Sequence, residues 1–121
     1  MNSTISIAAR AAALRFDPTV LQGVELVLAQ GADGPVVAFS RLGDSLALAS
    51  LIVAAAQFGW QIHQDLGKAG GTPGVEDVAI RVIDRLERDG RLPPALPAQD
   101  RDAAIRRTVE ELIAQTKKDL P

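Results

Sequence analysis

Twenty consecutive residues, Ser45 to Gln64, carry no charged side chain, although Asp44 and Asp65 stand directly on either side. Such a run has to leave water, into either the rest of the protein or a lipid phase, because an exposed apolar surface of that size is unfavourable. As a helix, twenty residues rise about 30 Å, the thickness of a bilayer's hydrocarbon core. Leu48, Leu51 and Ile52 belong to its apolar body, and Phe58 and Trp60 lie toward one end, where aromatic rings favour a membrane interface. Ser50 with Ala54, and Ala55 with Gly59, form small pairs four residues apart, which let helices approach closely. The same run also fits a protein interior. Gln57, Gln61, His63 and Gln64 crowd its last eight positions, and the strictly apolar stretch Leu46 to Ala56 is 11 residues, a length typical of a buried core helix.

The run is the extreme of a wider asymmetry. Of 28 charged side chains, 20 lie from Leu66 onward and eight before it. In that later part ten acidic residues face ten basic ones, and the whole chain has a net charge of −2. Nucleic-acid binding and polybasic lipid binding both need unbalanced Lys and Arg, so no nucleic-acid partner is expected. With no Cys, disulfides and thiolate chemistry are excluded. Three Phe, one Trp and no Tyr make a stacking platform for bases or sugars a poor fit. Met1 to Ala13 lacks the basic start of a secretory signal, and Arg10 interrupts its apolar residues.

Along the chain, helix signals recur. Ile5 to Leu14 is Ala-rich and reads as a short helix. Asp17 and Pro18 form a cap and first turn, with Val20, Leu21, Val24, Val27 and Leu28 at helical spacing behind them. The alternative is a β-hairpin over about 23–41, pairing Gly23 to Gln30 with Val36 to Arg41 around Asp33 and Gly34. Pro35 is a further start signal, and Gly43, Asp44 and Ser45 mark a kink or a fresh N-terminus before the apolar helix. Residues 67–74 form a Gly/Pro linker in which Thr72 caps and Pro73 opens the next helix. Val75 to Asp89 is strongly one-sided, with Val78, Val82 and Leu86 on one face and Gly90 as its stop. After Pro93, Pro94 and Pro97, Asp100 caps a last helix reaching toward Asp119, with Ile105, Val109 and Leu112 on its apolar side. The expectation is an all-α chain: an apolar helical region 1–66, the linker 67–74, and an amphipathic helical hairpin 75–121 whose six named apolar residues face a partner.

The order of these features over about residues 45–90 resembles a group of short bacterial proteins. Ala49 to Val53, Trp60 to Leu66, the Gly/Pro linker and a mixed-charge helix carry the resemblance. It implies one membrane-like helix with a small cytoplasmic helical tail, some members being accessory to defence or signalling effectors. It supplies no active-site residue.

No catalytic or ligand motif passes a spacing test. His63 is the sole histidine, and Ser45 and Asp44 stand 18 and 19 residues before it, about 27 Å along one helix. A phosphate loop would need a glycine where Ile62 stands and Ser or Thr where Ala69 stands. Asp84, Glu87, Asp100 and Asp102 lack the alternation of a calcium loop, and Glu110 with Glu111 reads as a solvated face. No cofactor, metal or small-molecule substrate is therefore expected. The reading that follows is a non-enzymatic, membrane-associated helical protein acting through a protein partner or homo-oligomer. Arg41 before the segment against Lys68, Arg81 and Arg85 after it places the C-terminus in the cytoplasm. The alternative is a soluble, cytoplasmic all-α interaction module (adaptor, inhibitor or assembly subunit) with 45–64 as its core helix.

Overall fold

The computed structural model describes residues 3–16, 18–30, 43–68, 70, 74–90, 92 and 96–118. Its helices are α1 Ser3–Ala13, α2 Pro18–Gln30, α3 Gly43–Lys68, α4 Val75–Arg88 and α5 Ala98–Lys118, and no strand occurs among the described residues.

Each helix follows from its apolar spacing. In α1, Ile5, Ala8, Ala9, Ala12 and Ala13 are buried, a one-sided set with side chains small enough for close approach. Its end tightens through bonds from Arg15 N–H to Ala12 O and from Phe16 N–H to Ala13 O, the i to i−3 pattern common at helix C-termini. In α2, Val20 and Val24 are buried four residues apart, so a period of 3.6 governs this segment. Gly23 to Gln30 is helical, which removes one arm of the hairpin alternative. The other arm at 36–41, and the start signal at Pro35, lie outside the described residues.

The helix starts differ in detail from expectation. α3 begins at Gly43, so that site is a fresh N-terminus. α4 begins one residue past Gly74, whose extended backbone (φ −90, ψ 167) leads into the first turn and whose carbonyl accepts from Val78 N–H at 3.1 Å. Thr72 and Pro73 lie outside the described residues. α5 starts at Ala98, ahead of Asp100, because the Pro97 carbonyl already accepts from Arg101 N–H at 3.0 Å. Asp100 thus sits within the first turn, where its charge suits the positive end of the helix dipole. Gly90 ends α4 as expected. Its φ of +67 is a left-handed conformation that lacks a steric penalty only for glycine.

The packing has α3 at its centre. Among the described residues α3 is the only helix that meets all four others. Around it the contacts run α2 to α1, α1 to α5 and α5 to α4, an arc that stays open between α2 and α4. Leu51, Ile52, Val53, Ala54, Ala55 and Ala56 are all buried, six in a row, as a helix surrounded on most sides requires.

That corrects the membrane expectation. Leu51 and Ile52 are covered by protein, and Leu48 is half-buried against the same core. Among the described residues no helix is long and apolar enough to cross a membrane. The physical reason is the polar end of the run: Gln57, Gln61, His63 and Gln64 dilute any window long enough to span. Beyond the expected linker, α4 and α5 both pack on α3.

Candidate functional site

The six residues expected to face a partner point inward. Val78, Val82, Leu86, Ile105, Val109 and Leu112 are each 0% exposed. An amphipathic stripe demands cover without specifying its source, and here the chain's other helices supply it: α3 and α5 over α4, and α1, α3 and α4 over α5. Removing each such side chain from water contributes about 1.5–3 kcal/mol, so their role is to hold α4 and α5 on α3.

The small residues of α3 act where close approach was expected, but within one chain. Ala54 and Ala55 are buried and Ser50 is half-buried. Gly59 is the tightest point. A Cβ built there would lie 2.9 Å from Leu112 Cδ2 and 3.8 Å from both Val109 Cγ2 and Val82 Cγ2. Three helices therefore converge over a missing side chain, and one more carbon would displace the buried tip of Leu112.

The two aromatic residues pack against the chain's own core. Phe58 is 9% exposed and lies beneath Arg85, whose Cζ stands 4.9 Å from the ring centroid, within cation–π range. Trp60 is half-buried against the core.

Neighbouring helices in the arc are also tied by charge. Arg10 on α1 bonds Glu25 on α2 through both carboxylate oxygens. Arg15, just past α1, reaches Glu110 at 2.8 Å and Glu111 at 2.7 Å on α5. Arg106 on α5 reaches Glu76 on α4 at 3.2 Å. Glu110 and Glu111 are thus partners of an arginine from another helix, and not simply a solvated face. The hydrogen bond from Arg10 holds the Glu25 carboxyl below the ordinary value, and the bond to Glu110 is the leading reason the Arg15 guanidinium is raised. All of these pairs are solvent-exposed in part, so solvent screening leaves each a weak contribution to stability.

Sequence reasoning missed two core residues. Thr108 is fully buried, with its hydroxyl donating to the Ala104 carbonyl at 2.7 Å, a helix-internal bond that satisfies a polar group without a partner from elsewhere. The signal was its place between Ile105 and Leu112 on the apolar side. Leu96 is 9% exposed and joins the core from the α4–α5 connection, which the prolines mark only as a connector. His63 has a buried Nδ1 without a partner, and no cluster of metal-ligating side chains occurs among the described residues.

Two concave surfaces are lined by described residues. The larger, about 430 Å³, runs along α5 past Gln99, Asp102, Ala103, Arg106, Arg107 and Glu110. The other is a groove of about 230 Å³ between α3 and α4, with Ile62 and Leu66 from α3 and Arg81, Arg85 and Arg88 from α4 among its walls. Compared with protein-family models, with curated proteins and with solved structures, the chain matches none of them.

Proposed function

We propose that the chain is an all-helical protein-interaction module, an adaptor, inhibitor or assembly subunit, in which residues 45–64 form the buried core helix. The observation that carries this reading is the enclosure of α3 by four helices: Leu51 to Ala56 are covered by the chain itself, leaving the outer helix faces, rich in Arg, Asp and Glu, to meet a partner. The role is non-enzymatic, and recognition is by surface complementarity to another protein. The resemblance to short bacterial accessory proteins is compatible with this role through their tail rather than through an anchor.

The test is behaviour without detergent. High-yield expression and a monodisperse gel-filtration peak are expected. Recovery only in a carbonate-resistant membrane fraction would sink the reading. Leu51→Arg separates the cases further. Placing an unpaired charge in this core costs about 3–5 kcal/mol, so the melting transition should be lost. A membrane anchor would instead keep its tail helices folded and lose membrane association.

A further inference from the structure

Among the described residues α2 and α4 do not meet, and α4 turns a basic edge to one side of its core face. At about 100° per residue, Arg81, Arg85 and Arg88 form one stripe at i, i+4 and i+7. Glu76 lies on the opposite flank of α4 and joins α5 through Arg106. The arginine stripe therefore borders α3 on the side away from α5. Beside it Ile62 and Leu66, one turn apart on α3, are only half-buried.

We propose that this α3–α4 groove docks a short acidic, amphipathic segment of a partner protein, its carboxylates on Arg81, Arg85 and Arg88 and an apolar side chain on Ile62 and Leu66. The proposal rests on the reading of the chain as an interaction module and names that module's contact surface.

Charge decides the sign of the partner. The chain carries net −2. The groove walls concentrate three arginines, set against Asp65 and Asp84, with Asp77 on Arg81 just beside them. Arg85 makes no ion pair among the described residues. Its guanidinium is held on the Phe58 ring, which leaves its N–H edge available while fixing its position. Arg81 and Arg88 are engaged with Asp77 and Asp84 only through exposed i,i+4 pairs, with side-chain exposures of 54%/59% and 77%/56%. Pairs of that kind are weak enough to be exchanged for an incoming carboxylate. Arginine binds carboxylates through two parallel hydrogen bonds, so a preset guanidinium suits a side-chain acid, and the apolar contact beside it is what a phosphate lacks. The half-buried Ile62 and Leu66 beside it give an apolar residue of the same segment a surface to cover.

The test uses the full chain, isotope-labelled, followed by amide chemical shifts. The probes are a capped hexapeptide of alternating glutamate and leucine, its lysine–leucine counterpart, and inorganic phosphate. The acidic peptide should shift amides at 62–66 and 81–88 with Kd below about 1 mM, and the other two probes should not. Arg85→Gln should weaken the acidic peptide about tenfold, the effect of losing a charged hydrogen-bond donor. Arg81→Gln, at a side chain about half exposed, should weaken it less while melting like the parent. No shift in the groove, equal shifts from phosphate or the lysine peptide, or unchanged affinity in Arg85→Gln would each overturn the proposal. Shifts confined to α1 or α2 would overturn this surface and leave the module reading standing. Failure of the chain to remain monodisperse without detergent would overturn the module reading itself.

Discussion

At the scale of single residues, Gly59 limits how closely α3, α4 and α5 pack. Replacing it with alanine adds helix propensity worth about 1 kcal/mol, but the new Cβ meets the buried tip of Leu112 at 2.9 Å. The two effects offset, so Gly59→Ala should leave the melting temperature close to the parent value. Gly59→Leu gains nearly the same propensity but inserts four carbons between three packed helices, so it should destabilise by about 1–3 kcal/mol, measured by urea unfolding. The Arg10–Glu25 pair sets a pH dependence of known sign. Because the Glu25 carboxyl lies below its ordinary value when folded, its contribution is present above the ordinary carboxylate pKa. It is lost as pH falls through the lowered folded value. Glu25→Gln should therefore narrow the stability difference between neutral and strongly acidic solution by a small amount, since the pair is exposed. An acid-unfolding curve unchanged by the substitution would remove this role.

At the scale of elements, α4 shows how much one helix specifies about itself. Its buried residues Val78, Ala79, Val82 and Leu86, its acidic first turn at Glu76 and Asp77, and Arg85 and Arg88 in its last turn all agree with a single helix. Gly90 completes it in the left-handed region at φ +67. An L side chain there is strained, so Gly90→Ala should cost about 1 kcal/mol and lower the melting temperature by several degrees. Elements whose ends rest on weaker signals were less legible. Asp100 resembles a cap, yet Pro97 already provides the carbonyl that starts α5. An acidic residue is favourable both at the cap and within the first turn, and composition does not separate the two. In α2 the valines at 20, 24 and 27 suit strand and helix alike by type. Only their burial at a period near four resolves them.

At the scale of the whole molecule, α3 is the common neighbour of every other helix, so no pair of helices has a core of its own. A chain of this size with one shared core should unfold in a single cooperative transition. Ile105→Ala in α5 should therefore lower the midpoint reported by Trp60 fluorescence in α3 together with that reported by far-UV circular dichroism, by about 2–5 kcal/mol in both. Separate midpoints for the two probes would show that 75–121 is an independent unit, as the glycine-rich linker had suggested. The salt bridges follow the same architecture. Arg10, Arg15 and Arg106 each cross from one helix to its neighbour in the arc, a set of contacts between residues 15 to 96 positions apart that no local pattern announces.

The sequence by itself determined α1, α4 and α5 as helices and which face of α4 and α5 must leave water, because both depend on local spacing: 3.6-residue periodicity in α4, small residues in α1, glycine at the end of α4. It left α2 open between helix and strand. It also determined that Ser45 to Gln64 had to be enclosed. Only the tertiary structure decided what encloses it. Hydrophobic burial has no direction and no preferred partner, so the stripe of Val78, Val82 and Leu86 was equally suited to another protein and to α3. The structure places that stripe on α3, and the charge-free run that resembled a membrane segment becomes the axis around which the other helices pack.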